Sequence, residues 1–129
     1  MYKSLGIIVA LLLVAGCGTE NPFSRGPETL DEGGGGPITG SVSFSSDVVP
    51  LLRPCASCHS SGAGGWTYAG GANAFSAVSS VIDTGSPTNS LMLVKATGGA
   101  GHGGGTVFSA ASSQYTTIRA WIEQGARDN

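Results

Sequence analysis

Cysteine and histidine are scarce in this chain, and their scarcity limits the chemistry that it can carry. Among 129 residues there are three cysteines and two histidines. Three cysteines cannot build a framework of several disulfides, and one is left over from any single pair. The sequence also holds no Ser-His-Asp arrangement and no pair of carboxylates at a useful spacing, so we identify no catalytic residue.

Charged residues are few as well, and no stretch of the chain forms a basic patch. Six Lys and Arg stand against eight Asp and Glu, which gives a formal net charge of −2. If the first residues are removed as a leader, the loss of Lys3 leaves five against eight, a net charge of −3. A mildly acidic chain of this length fits one domain and argues against nucleic acid as a partner.

An apolar run long enough to span a membrane is missing too. The run from Leu5 to Ala15 has eleven residues, whereas a membrane-spanning helix needs about twenty. It follows Lys3 and has the length and flanks of a secretory signal. The segment VAGC, which ends at Cys17, resembles a bacterial lipobox, in which the cysteine becomes the lipidated first residue of the mature protein. The alternative is an ordinary signal peptide with a chance cysteine.

This interpretation divides the chain into three parts. Residues 1–16 are a lipoprotein signal peptide, residues 17–40 are the lipidated cysteine and a flexible tether, and residues 41–129 form the domain. The tether is rich in Gly, Pro and acidic residues without apolar periodicity, which favours it over a loop packed on the domain. We expect an exported protein, lipid-anchored to a bacterial membrane and facing the periplasm or the cell exterior. Gly18 favours the outer membrane, because it replaces the aspartate that retains many lipoproteins at the inner one.

Short helices joined by glycine-rich loops are predicted within residues 41–129. The first follows a cap at Ser45 or Ser46, and apolar spacings of three and four in NAFSAVSSVI indicate a second. The segment NSLMLVKAT fits a third helix, with Ser90 as a possible cap, or a strand. The last, SSQYTTIRAWIEQG, has an apolar face, a serine cap and Gly125 as its stop. We therefore expect an all-α domain with a thin core that would gain stability from a large apolar insert.

Two of the cysteines stand three positions apart, in RPCASCHSSG. Cys55, Cys58 and the adjacent His59 have the spacing of c-type haem attachment, in which both thiols bond the haem vinyl groups and the imidazole ligates the iron. The same residues could serve a zinc site, a thioredoxin-like pair or a plain disulfide. Zinc normally takes four ligands, and only His102 could extend the set. A redox pair needs a βαβ context, and a disulfide leaves His59 unexplained, so we predict one covalent haem c.

Residues 44–126, which contain this motif, resemble a small bacterial class I cytochrome c domain. The matching segments are FSSDVVPLLRPCASCH, GSPTNSLMLVK and YTTIRAWIEQGA. The resemblance implies a helical domain around one haem, with His59 as the proximal axial ligand and with the first and last helices crossing beside the haem. It also makes Trp121 the expected haem neighbour. Most members carry a methionine before the last helix as the second axial ligand, and this chain departs from that pattern.

His102 stands where that methionine would be expected, in TGGAGHGGGTVF. It is the only other histidine, it follows His59 by 43 residues, and its glycine neighbours let the backbone approach the ring. We predict His102 as the distal axial ligand. Met92, between apolar neighbours, is the runner-up, and an open or water-bound sixth site is the third option. Histidine in place of methionine predicts a low reduction potential.

The predicted function is that of a membrane-tethered monohaem electron carrier with redox proteins as partners, and not that of an enzyme. The alternative is a haem peroxidase or small-ligand sensor with an open distal side. A structural lipoprotein with a zinc-bound loop is a third hypothesis. Gly99, Gly101 and Gly104 match the dinucleotide fingerprint, but no helix opens directly after them, so we predict no nucleotide partner.

Overall fold

The structure, a computed structural model, describes residues 38–129. This part of the chain is all-α, as predicted, and contains no strand. Its α-helices are α1 (Val49–Leu51), α2 (Arg53–His59), α3 (Ala74–Ser79), α4 (Leu91–Ala96) and α5 (Ser113–Glu123). A π-helical turn (Phe44–Val48) precedes α1, and 3₁₀ turns occur at Ala63–Gly65, Gly71–Asn73 and Pro87–Asn89. None of these helices has the length and apolar character that a membrane crossing needs.

Several predictions about the N-terminal part concern residues outside the described range. They are the signal peptide at residues 1–16, the lipidation of Cys17 and most of the tether that ends at Gly40. These stay predictions, as does the start of the domain at Ser41.

Helical structure begins earlier than the sequence indicated, and the prediction of Ser45 or Ser46 as the first cap was wrong. Ser43 is the capping residue, because its backbone is extended and its hydroxyl accepts the Ser46 N–H at 3.4 Å. Neighbouring serines are equal candidates in the sequence, and the burial of Phe44 distinguishes them, since this side chain belongs to the core. Pro50 then lies in the first turn of α1, where a missing N–H costs little.

The segment NSLMLVKAT, for which the sequence allowed a helix or a strand, contains helix α4. Residues Leu91–Ala96 are helical, but Ser90 before them does not cap the helix through its side chain. Its fully buried hydroxyl instead accepts the Asp83 N–H at 2.9 Å, which ties the start of α4 to the loop after α3. Helix α3 ends at Ser79, so the last three residues of NAFSAVSSVI lie beyond the helix predicted for that segment.

Helix α5 was predicted with its cap and its stop, and both are confirmed. The Ser112 hydroxyl accepts the Tyr115 N–H at 3.2 Å, and Gly125 after the helix has a φ of +94°, a conformation that favours glycine. Trp121 on this helix lies in the core, with its ring centroid 5.1 Å from that of Phe44. The first and last helical segments therefore meet through aromatic packing.

One apolar core joins the π-helical turn with α3, α4 and α5, and residues of α1 and α2 pack against it. The buried apolar residues of the described part are Val42, Phe44, Val48, Leu52, Tyr68, Ala74, Val78, Met92, Leu93, Ala96, Phe108, Ile118, Ala120, Trp121 and Ile122. Asn129 joins the two ends of the domain, because its main-chain oxygen accepts the Ser45 N–H at 2.9 Å and its side-chain oxygen accepts the Phe44 N–H at 2.8 Å. These bonds fix the start of the helical segment that leads to α2.

Candidate functional site

Helix α2 presents the three residues of the sequence motif together. Residues at positions i, i+3 and i+4 lie on one face of a helix, so Cys55, Cys58 and His59 share a face. Pro54 lies in the first turn, where its fixed φ suits the helix and its missing N–H is not needed. Neither sulfur is in a disulfide.

The two thiols have different surroundings. Cys55 is partly buried and packs against the core, whereas Cys58 is exposed. Burial raises the pKa of the Cys55 thiol; a backbone hydrogen bond offsets part of this rise, and the nearby Cys58 adds to it. Burial also raises the pKa of Tyr68, with Cys55 as a second cause. The Cys55 thiol, which packs against the core, is therefore protonated at neutral pH. The Cys58 thiol faces solvent.

The imidazole of His59 is held by the loop that follows α2. Its Nδ1 donates to the main-chain oxygen of Trp66 at 3.2 Å, since a carbonyl oxygen can only accept. The Trp66 indole packs edge-on against the His59 ring at 4.8 Å and donates from Nε1 to the Ala77 oxygen at 2.8 Å. The His59 main-chain oxygen accepts the Tyr68 N–H at 2.9 Å. These contacts hold the ring through its Nδ1 edge, and Nε2 is the ring nitrogen that makes no hydrogen bond within the described residues.

The loop that carries His102 is anchored at both ends. At its start, Gly99 donates to the Val94 oxygen at 2.8 Å, and a Cβ there would come within 2.8 Å of the same oxygen. At its end, Val107 donates to the Ala96 oxygen at 2.8 Å. A glycine-rich sequence thus forms a defined loop on α4, and at its first stem the backbone packs too closely for a side chain at Gly99.

Lys95 supports the middle of this loop. Its ammonium group donates to the main-chain oxygen of Ala100 at 2.6 Å, and Ala100 itself has a φ of +51°, which is unusual for a residue with a side chain. The lysine therefore stabilises a strained turn two residues before His102.

The ring of His102 is also held through Nδ1. This nitrogen donates to the Gly105 oxygen at 2.7 Å, and the Gly105 N–H in turn donates to the His102 oxygen at 2.9 Å. A neutral imidazole with its proton on Nδ1 keeps a lone pair on Nε2. The partly buried His102 and His59 therefore have the same tautomer, each with Nε2 available as a ligand atom.

The two histidine rings lie close together although they are far apart in sequence. Their centroids are 6.2 Å apart and their planes are inclined by only 4°. Met92, the other candidate considered from the sequence, is 7% exposed and belongs to the apolar core. The structure thus brings His102, and not Met92, beside His59 as a ring of matching orientation.

Sequence reasoning missed the groups that orient the two histidines. Both are main-chain oxygens, of Trp66 and Gly105, and an oxygen that every residue carries leaves no sequence signal. The side chain of Trp66 is the one sequence signal here, because an aromatic residue in a glycine-rich loop directly after the cysteine motif is a candidate packing partner. Within residues 38–129, no group of three or more His, Cys, Asp or Glu is arranged to hold a metal ion.

No protein-family model, no curated protein and no solved structure matches this chain.

Proposed function

We propose that residues 41–129 bind one haem c, attached through Cys55 and Cys58 and ligated by His59 and His102. The observation that carries this proposal is the histidine pair, with parallel planes, a centroid separation of 6.2 Å and both Nδ1 atoms bonded to main-chain oxygens. Metal-bound histidines commonly donate their other nitrogen in this way, which sets the tautomer and the ring orientation.

The distance between the rings supports a shared metal ion. The two ring centroids are 6.2 Å apart, close enough for both imidazoles to ligate one iron. Cys55 and Cys58 are free thiols on the same helical face as His59 and would hold a haem covalently, while His59 and His102 would ligate its iron.

We further propose that the protein is a one-electron carrier. A bound haem supplies reversible one-electron chemistry at its iron. The chain contributes two imidazoles that are fixed from behind by Trp66 and Gly105, so neither ring has to rearrange when an electron is gained or lost. Two nitrogen ligands lower the reduction potential relative to a histidine and methionine pair, because the methionine ligand raises it.

The proposed setting is a membrane surface outside the cytoplasm. Lipidation at Cys17 would anchor the chain, and the segment up to Gly40 would act as a tether of roughly 25 Å root-mean-square length. A domain on such a tether can meet redox proteins in or near the same membrane. This part of the proposal rests on the sequence alone.

The test is to express the full chain together with haem-maturation machinery and to measure the pyridine haemochrome and the absorption spectrum of the ferric protein. We expect one covalently bound haem with a six-coordinate, low-spin spectrum. The double variant Cys55→Ser/Cys58→Ser should lose covalent haem. The matched control is Ser57→Ala on the same helical turn. Its exposed hydroxyl donates to the Pro54 oxygen at 2.8 Å and to the Cys58 sulfur at 3.8 Å, and the variant should keep the haem because both thiols remain.

The other outcomes separate the rival functions. A five-coordinate, high-spin spectrum would favour a peroxidase or a small-ligand sensor with an open distal side. A colourless protein, even when purified from its native cell, would contradict the haem proposal and favour a structural lipoprotein.

A further inference from the structure

We propose that Gly104 is a positioning residue that sets the plane of the His102 imidazole parallel to that of His59. The inference rests on the haem function proposed above and concerns the orientation of the ligands. Two parallel imidazole planes are one of several arrangements open to axial ligands, and the 4° between these rings has to be produced by their surroundings. The main-chain oxygen of Trp66 fixes the orientation of the His59 ring, and the His102 ring needs an equivalent restraint.

Two contacts limit the rotation of the His102 ring. The bond from Nδ1 to the Gly105 oxygen fixes one edge of the ring. The backbone of Gly104 lies against the ring itself. A Cβ at position 104 would be 3.1 Å from Cε1, 3.5 Å from Nε2 and 3.7 Å from Nδ1 of His102. Glycine at position 104 leaves room for the ring in this orientation. A methyl group there would contact Cε1, and the ring would rotate while its Nδ1 stays bonded to the Gly105 oxygen.

The chain offers a matched control at the preceding position. A Cβ at Gly103 would meet nothing within 4 Å, and neither Gly103 nor Gly104 has a positive φ. Alanine at either position is therefore free of backbone strain, and the two substitutions differ only in whether the new methyl group touches His102.

The experiment is electron paramagnetic resonance of the haem-loaded full chain in its ferric state, for the wild type, Gly104→Ala and Gly103→Ala. Parallel imidazole planes split the iron d orbitals unequally and give a rhombic low-spin signal with three resolved g values. Perpendicular planes leave two orbitals nearly degenerate and give one feature at large g. We expect the rhombic signal from the wild type and from Gly103→Ala.

For Gly104→Ala we expect g values spread further apart and a midpoint potential shifted upward, because a turned ring donates less well to ferric iron. Circular dichroism of the three proteins should superimpose, which separates a turned ligand from an unfolded loop. A large-g signal from the wild type would contradict the inference even if the loop of Gly104→Ala failed to fold.

Three results would overturn the inference. They are a large-g signal from the wild type, identical spectra for Gly104→Ala and the wild type, or an equal change in Gly103→Ala. The first two leave a six-coordinate bis-histidine haem, and so the proposed function, intact. A wild-type protein without any haem signal would overturn both the inference and the proposed function.

Discussion

The two histidine rings of this domain are oriented in the same way. In each, one ring nitrogen is bonded to a main-chain oxygen, Trp66 for His59 and Gly105 for His102. The remaining nitrogen keeps its lone pair. A solvated surface histidine has no need of such a fixed orientation, so the shared tautomer is the residue-level feature that favours ligation.

The first prediction distinguishes the two candidate distal ligands. In the haem-loaded chain, His102→Ala should convert the six-coordinate, low-spin spectrum to a high-spin one and raise the midpoint potential, because the iron loses a nitrogen ligand. Met92→Leu should leave the spectrum unchanged, since Met92 is a buried core residue and leucine has a similar volume. Such a swap costs less than about 1.5 kcal/mol of unfolding free energy. Absorption spectroscopy and urea unfolding measure the two effects.

A reversed result would contradict the assignment of His102. If Met92→Leu abolished the low-spin spectrum while His102→Ala preserved it, the methionine would be the ligand, and α4 would have to rearrange to expose it.

At this scale the sequence indicated candidate residues but not their environment. The spacing of Cys55, Cys58 and His59 placed them on one helical turn because helix geometry is local. The position of His102 beside His59 was inferred from the scarcity of ligands and from a family pattern. The orienting oxygens could not be predicted, because they depend on loop conformations that glycines at Gly64, Gly101 and Gly105 make possible through positive φ.

At the scale of elements, the domain depends on short helices that are stabilised by their ends and by the core. Helix α4 has six residues and α3 has six, which is too short for either to be stable alone. Each is therefore held by tertiary contacts, such as the buried Ser90 hydroxyl that accepts the Asp83 N–H. Helix α5, with eleven residues and a capped start, is the element with the strongest local signals.

The second prediction concerns the cap of α5. Ser112→Ala should lower the free energy of unfolding by about 0.5–2 kcal/mol, because the Tyr115 N–H loses its acceptor. The adjacent exposed residue provides the control, and Ser113→Ala should change stability by no more than about 0.5 kcal/mol. Thermal or urea unfolding of the haem-loaded protein measures both. An equal loss in the two variants would show that the cap has been assigned to the wrong serine.

The elements also show where sequence patterns stop being informative. The period of α5 and its cap predicted the helix because its local signals agree with its burial. The start of the first helical segment was placed too late, since serines at positions 43, 45 and 46 have equal capping tendencies and only the burial of Phe44 selects Ser43. The Leu-Met-Leu-Val run fits a helix or a strand equally, and tertiary packing decides for α4.

At the scale of the whole molecule, the described domain and the predicted anchor together determine where an electron carrier would work. The side chain of Gln124 at the end of α5 accepts the Val42 N–H at 2.8 Å and donates to the Gly40 oxygen at 3.0 Å, so the chain leaves the core next to the end of α5. Any tether from Cys17 to Gly40 would therefore join the domain at that end. The anchor and the tether stay predictions from the sequence.

The third prediction addresses the anchor. In the native cell, Cys17→Ser should abolish lipidation, and the exported chain should move from the membrane fraction to the soluble fraction because the predicted attachment site of the lipid is gone. Gly18→Ser keeps the cysteine and is the control that should remain membrane-bound. Fractionation followed by immunoblotting measures the shift. A Cys17→Ser chain that stayed with the membranes after its signal peptide had been removed would contradict a lipid anchor at this residue.

The most direct test of the central claim is the intact mass of the mature chain purified from its native cell, followed by mass analysis of the peptide that contains Cys55 and Cys58. We expect the mature chain to carry the added mass of one haem, which is retained after denaturation and is confined to that peptide. A mature chain without this addition, or with the two cysteines unmodified or joined in a disulfide, would contradict it.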